Sequence, residues 1–204
     1  MAHHYDRREP SGPGTPRLFL AIPIPDETSV VVGGVIEAAR RTLGEDGRRI
    51  RWVQLEGLHV TLRFLGPTPV DRITGIATAL DRAVEDEASF EVRIAGSGTF
   101  PSPDRPRALW LGIADGAASI GRLAAAFETA VAEAGWAVEP RAFRPHMTIA
   151  RTDGVQTGEA AGKALSAAAA GLDVGFRADR VVLYRSHLGS GPARYERLHE
   201  ALLA

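Results

Sequence analysis

Three features of the sequence predict an α+β fold made of two similar halves. Short alternating strands are bounded by turn residues, apolar helical spacing recurs between them, and one strand motif occurs twice. The order strand, helix, strands, helix, strand is followed by much the same again, as two halves of about 90 residues each. The alternating strands favour antiparallel or mixed sheets with helices outside.

The elements follow in order. Residues 1–16 are polar, with Gly, Pro and Arg, and read as a disordered leader. That leader lacks the apolar stretch of a secretory signal, and it takes His3 and His4 out of consideration. Arg17 to Ile24 is a β-like run stopped by Pro23 and Pro25. Asp26 then serves as N-cap of a helix to about Arg41, ended by Gly44 and Gly47. Arg51–Val53 and His59–Leu65 are strands, the second with His59, Thr61 and Arg63 on one face. Val70 to Val84 has helical spacing through Ile73, Ile76, Ala77, Leu80 and Val84. Phe90 to Ala95 is a strand before a proline-rich loop, Gly96 to Arg105, and Ala108 to Ile113 is another strand. Ser119 to Ala134 is an alanine-rich helix ended by Gly135. His146 to Arg151 repeats the alternation of the first histidine strand, and Gly158 to Ala170 is a helix of small residues. Phe176 to Ser186 and Arg194 to Leu202 close the chain as strands, the last with a terminal helical turn. Trp52 and Trp110 read as core residues.

Composition narrows the function. The 204 residues are 45% hydrophobic and 24% charged, as in an ordinary folded domain. No run approaches the roughly 18 apolar residues that span a bilayer, so no membrane role is expected. There is no cysteine, which excludes disulfides, thiolate catalysis and cysteine-held zinc, and fits a reducing cytoplasm. A net charge of −1 argues against coating long nucleic acid by counterion release. An RNA contact must then be local, a few arginines gripping one or two phosphates. No coiled coil or apolar stripe is visible, so a monomer is expected.

The informative motif is His59-Val60-Thr61-Leu62, matched by His146-Met147-Thr148-Ile149. In each, the His and Thr fall on one strand face, about 6.5–7 Å apart. Two such strands facing one cleft would present two imidazoles and two hydroxyls. Breaking a phosphodiester needs a base for the nucleophile's proton and an acid for the leaving oxygen, and histidine serves as either near pH 7. Threonine hydroxyls can donate to the non-bridging oxygens, and arginine can grip them by charge-assisted pairs. One copy alone is a common chance sequence; two at matching positions are not. Two His and two Thr make a poor metal site, so neither metal nor cofactor is expected. His187 and His199 have no partner motif and read as structural.

The segments Arg17-Leu-Phe-Leu-Ala-Ile-Pro23, Trp52-Val53, Leu58 to Gly66, Phe100-Pro-Ser-Pro103, Arg107-Ala-Leu-Trp110, Phe143 to Arg151 and Leu183-Tyr-Arg-Ser186 together resemble the RNA 2′,3′-cyclic phosphodiesterases. These enzymes, also called 2′-5′ RNA ligases, belong to the 2H phosphoesterase superfamily. The resemblance runs from about Arg17 to Leu203. It implies a single domain over 17–204 of two pseudo-symmetric lobes, each an antiparallel sheet with outer helices, and an active-site groove between them. It implies metal-free opening of a terminal 2′,3′-cyclic phosphate to a 2′-phosphate, on RNA 3′ ends or cyclic nucleotides. By the same resemblance His59 is the acid for the 3′ oxygen, His146 the base for water, and Thr61 and Thr148 hold the phosphate. Arg151 matches a phosphate- or ribose-binding arginine, and Phe64 an aromatic that stacks on a base. Run backwards, the groups would join a 5′-hydroxyl to a cyclic phosphate.

Strict alternation sets Phe64 and Arg151 opposite their histidines, so a bulge, a strand end or an adjacent strand must bring them round. The bland alternatives are that Phe64 is core and Arg151 a solvated strand-end charge. Arg144 shares a face with His146, though Pro145 leaves an architectural role equally open. Rival functions are a 2H phosphoesterase for another cyclic phosphate, such as an ADP-ribose-like nucleotide, a module that holds RNA ends without cutting them, and a metal-dependent hydrolase.

Overall fold

A computed structural model describes residues 14–152, 155–187 and 193–204. The chain runs β1 (Arg17–Pro23), α1 (Asp26–Leu43), β2 (Arg51–Trp52), β3 (His59–Pro67), α2 (Ile73–Val84), β4 (Phe90–Phe100) and β5 (Ala108–Asp115). It continues through α3 (Ala117–Glu133), β6 (His146–Arg151), α4 (Val155–Ala168), β7 (Asp173–Ala178), β8 (Arg180–His187) and β9 (Arg194–Leu202). Most of the expected leader, with His3 and His4, lies outside the described residues. Its end is already anchored, because the carbonyls of Gly14 and Pro16 accept from the amides of Val70 and Thr68.

Two antiparallel sheets form, ordered β3-β1-β8-β9 and β2-β6-β5-β4-β7. β1 is central in its sheet and is buried from Leu18 to Ile22, which is why it reads as an unbroken apolar run rather than an alternating one. The helices bury stripes at helical spacing: Ile76, Leu80 and Val84 on α2, and Ile120, Leu123, Ala124, Phe127 and Val131 on α3. One apolar core runs through both sheets and their helices.

The lobes are not the successive halves that the sequence order predicts. The four-stranded sheet takes β1 and β3 from the start of the chain and β8 and β9 from its end. The helices cross over as well. Helix α1 packs on α4 and β7, while α2 and α3 pack together against β9 and β3. Strand pairing is a long-range choice that local pattern does not encode. The repeat survives as a correspondence of the β1–β3 pair with the β5–β6 pair.

Other departures have local causes. Gly96, with φ +71°, carries a bulge between Ile94 and Ser97, so β4 continues to Phe100 instead of ending at Ala95. The run from Phe176 to Ser186 breaks at Asp179, and its two parts join different sheets. Pro25 occupies the α1 N-cap, and Asp26 is the first helical residue, beside Glu27 in the first turn where carboxylates suit the helix dipole. Gly44, at φ +57°, closes that helix. The first turn after Pro69 is 3₁₀ at Val70–Arg72 before α2 begins, α4 starts at Val155, and β9 ends as strand. No helix among the described residues is long and apolar enough to cross a membrane.

Candidate active site

His59 opens β3 opposite Pro23 of β1, and His146 opens β6 opposite Gly112 of β5. Thr61 pairs with Ala21, and Thr148 with Trp110. Both strands then slip. On β3 the register steps from Ala21↔Thr61 to Leu20↔Arg63, leaving Leu62 unpaired across the ladder. On β6 it steps from Trp110↔Thr148 to Leu109↔Ala150, leaving Ile149 in the same condition. Each bulge falls three residues after its histidine and inverts the alternation beyond it. Leu62 and Arg63 are both buried, as are Ile149 and Ala150. Phe64 therefore returns to the His59 and Thr61 face with 47% of its surface exposed. Arg151 likewise returns to the face of His146 and Thr148, and is half-buried.

The same bulge corrects the expectation for Arg63. Rather than joining His59 and Thr61, it turns to the opposite side, 8% exposed, and pairs with Glu128 of α3 at 2.6 Å. Its guanidinium also donates to the carbonyls of Phe64 at 2.6 Å and Ala137 at 2.5 Å.

The two imidazoles are held alike. Nδ1 of His59 donates to the Gly57 carbonyl at 2.7 Å, and Nδ1 of His146 to the Arg144 carbonyl at 2.6 Å. Each acceptor lies two residues before its histidine, so each neutral ring keeps its proton at Nδ1 and leaves Nε2 as a lone-pair acceptor. Arg144 thus contributes a backbone carbonyl, and its side chain is exposed. His187 and His199 pair with Glu196 and Asp81, away from both motifs.

Burial is the main force that lowers the His59 pKa, to about 4. The Gly57 hydrogen bond opposes it, and the nearby positive charges of Arg151 and His146 add to it. Burial also lowers His146, against the Arg144 hydrogen bond and with help from Arg151. β3 packs beside β6, and the charges of His146 and Arg151 reach His59. The two motif strands therefore lie side by side, within electrostatic reach of each other.

Aromatic rings surround the two histidines unevenly. His59 lies 4.9 Å from the ring of Phe19, 5.2 Å from Tyr195 and 6.3 Å from Tyr184, while Phe64 adds its ring 5.8 Å from Phe19. His146 meets Phe100 at 4.8 Å and Trp110 at 6.3 Å. Trp110, expected in the core, is only partly buried and stands beside His146. Its indole lies so close over Gly98 that a Cβ there would come within 2.2 Å of the ring. Sequence reasoning missed Phe19, Phe100, Trp110, Tyr184 and Tyr195 as site residues. Four of them sit on strands outside the motifs and Tyr195 on the edge strand, so only the pairing reveals them. Among the described residues no three His, Asp or Glu side chains gather as a metal site would require.

The model of the 2′-5′ RNA ligase superfamily matches residues 26–190. The chain belongs to that superfamily. Among its relatives is the RNA 2′,3′-cyclic phosphodiesterase of Bacillus subtilis, 28% identical over 93% of this chain and 97% of the relative. The enzyme of that name from Geobacillus stearothermophilus is 31% identical over 87% of this chain, and the match spans 54% of that relative's length. The superfamily fold is equally plain in solved structures. The protein TT0787 of Thermus thermophilus aligns with TM-score 0.70 at 25% identity, over 92% of this chain and 97% of its own. LigT of E. coli, solved with 3′-AMP, aligns with TM-score 0.70 at 21% identity, over 93% and 99%.

Proposed function

We propose that the protein opens the terminal 2′,3′-cyclic phosphate of RNA to a 2′-phosphate, with His59 and His146 as its acid and base and without a metal. The observation that carries this reading is the pair of bulged His-x-Thr strands. Their imidazoles are both tied back through Nδ1, and the two strands pack side by side. Relatives named RNA 2′,3′-cyclic phosphodiesterase support the substrate class.

In this mechanism Nε2 of His146 takes a proton from water as the water oxygen attacks phosphorus. The bond from phosphorus to the 3′ oxygen breaks, and that oxygen takes the proton from Nε2 of His59. The phosphate stays on the 2′ oxygen. Thr61 and Thr148 donate to the non-bridging oxygens, and Arg151 supplies the positive charge that holds them. Phe64 stacks on the terminal base, a contact tolerant of base identity. The division between acid and base follows the family resemblance, since the backbone geometry treats both histidines alike. With the pocket empty both imidazoles are neutral near pH 7. The negative phosphate raises their proton affinity, and His59 takes up its proton as the substrate docks. The cysteine-free composition fits the cytoplasm as the place of reaction.

The test is incubation with 2′,3′-cyclic AMP and with a short RNA ending in a cyclic phosphate, in excess EDTA, the products being identified by phosphorus NMR. A 2′-phosphate, absent with His59→Ala and His146→Ala, is the expected result. A 3′-phosphate would overturn the leaving-group assignment. Turnover of neither substrate would overturn the reading.

A further inference from the structure

His59 opens β3, and β3 and β9 are the two edge strands of the four-stranded sheet, with β1 and β8 between them. Tyr195 belongs to β9, where it pairs with Ser186 of β8. Its ring nevertheless meets His59 from the opposite edge, at 5.2 Å and an angle of 88°, the edge-to-face arrangement that two rings favour. The ring of Phe19 on β1 lies 5.1 Å from Tyr195 and 4.9 Å from His59. Tyr184 of β8 completes the group, 6.3 Å from each.

Tyr195 also touches what holds that imidazole. The carbonyl of Gly57 accepts the Nδ1 hydrogen at 2.7 Å, and a Cβ on Gly57 would come within 3.1 Å of the Tyr195 ring. The ring thus packs directly on this glycine. Gly57 closes the 3₁₀ turn Leu55–Gly57, and Leu55 of the same turn packs closely on Gly33 of α1. The support of His59 is therefore held by α1 through Leu55 and by Tyr195 through Gly57. The carbonyl that supports His146 belongs instead to an exposed residue, Arg144.

We infer that Tyr195 is the positioning residue of His59: its ring holds the imidazole and the Gly57 carbonyl in one arrangement, so that Nε2 stays aimed at the leaving 3′ oxygen. This rests on the two-histidine reading above. The ring rather than the hydroxyl supplies the hold, because it is the ring that meets both His59 and Gly57. Without it the imidazole gains rotamers and water, and Nε2 spends less time within reach of the oxygen it must protonate.

Turnover of 2′,3′-cyclic AMP and NMR titration of the His59 ring test this in three variants. Tyr195→Ala should lower kcat by about 10- to 100-fold, the cost of a misplaced reacting group, with KM nearly unchanged. It should also raise the His59 pKa from about 4 toward that of a free imidazole, since burial is the main force that lowers it. The other titratable and charged groups that face the imidazole, His146 and Arg151 of β6 and Tyr184 of β8, are the same in every variant. Tyr195→Phe keeps the ring and should restore both readings. Gly57→Ala presses on the ring from the other side and should move both readings in the direction of Tyr195→Ala, which keeps the test open if that variant does not fold. In the Tyr195→Ala background Gly57→Ala should cost little more, because the ring it would meet is gone. An unmoved His59 pKa, or additive losses in the double variant, would overturn the inference. A loss confined to KM would make Tyr195 a substrate contact, and equal losses in Tyr195→Phe and Tyr195→Ala would give the hold to the hydroxyl; either overturns it as well. Absence of turnover by the unsubstituted protein would overturn the two-histidine reading and the catalytic role of Tyr195 with it, a failure that the titration distinguishes from a ring that does not hold His59.

Discussion

The strands that begin at His59 and His146 share a backbone plan and differ in what surrounds it. Both open on a histidine whose Nδ1 donates to the carbonyl two residues back, and both bulge three residues later. Past the bulge they diverge, since the fifth residue is an exposed ring, Phe64, on one strand and a cation, Arg151, on the other. The surroundings diverge too. His59 is set among Phe19, Tyr184 and Tyr195, while His146 meets Phe100 and Trp110. The shared plan suits the proposed chemistry of a phosphate held between two imidazoles. In the proposed reaction the differences divide the labour, with the nucleobase stacked on the His59 side and the phosphate charge met on the His146 side. They also leave His59 with a pKa of about 4, through the desolvation that its more numerous ring neighbours impose.

Removing either histidine is the largest test of that symmetry. His59→Ala and His146→Ala should each lower kcat/KM for 2′,3′-cyclic AMP by about 10²- to 10⁴-fold, the usual worth of one positioned acid or base. The double variant should be little worse than either single one, because a lone partner has no step to complete. Near-normal turnover by either single variant would break the equivalence. The threonines come next. Thr61→Val and Thr148→Val should each cost about 10- to 1000-fold in kcat, as for one oxyanion donor. A large loss in one beside none in the other would show the phosphate gripped from one strand alone.

Much of this was legible in the sequence, for specific physical reasons. Alternation along His59–Leu62 and His146–Ile149 fixes the face of each His and Thr before any tertiary contact is known. The duplicated motif points to a shared chemistry. The bulges were not legible. A bulge is set by the partner strand's register, so strict period-2 reasoning placed Arg63 with His59 and set Phe64 and Arg151 against their histidines. The structure turns all three around. The two-lobed fold was legible, but which strands build each lobe was not, for the same reason: nothing local in Arg180–His187 says that it will pair with β1, more than 150 residues earlier in the chain. Trp110 looked like core because its position opposite Thr148 depends on a pairing that sequence does not state.

The fifth residues sharpen the contrast at smaller magnitude. Arg151→Met should raise KM by about 10- to 100-fold, since it removes a charge-assisted grip on phosphate. It should also raise the His59 pKa, because Arg151 is among the charges that depress it. Phe64→Ala should raise KM by about 5- to 100-fold through one lost base stack and leave the His59 pKa nearly unmoved. Histidine titration by NMR separates the two variants. If both shift the pKa alike, or neither does, the assignment of charge to one strand and stacking to the other fails.

The gentlest probe of the asymmetry is the dependence of stability on pH, where each histidine acts without substrate. His59 has a folded pKa of about 4 against about 6.5 for a free imidazole. Between those values the unfolded chain binds a proton that the folded chain refuses, so stability rises with pH across that window and levels off above about 6.5. The His146 pKa is also lowered, so its contribution has the same sign. Replacing either ring with glutamine, which does not titrate, removes its share of the slope. Melting temperatures recorded from pH 4 to pH 8 should therefore rise less steeply for His59→Gln than for the unsubstituted protein, and His146→Gln should fall between them. If the slope of His146→Gln is the shallower one, His146 is the more strongly desolvated imidazole. The larger number of rings around His59 would then not be the source of the difference between the two strands.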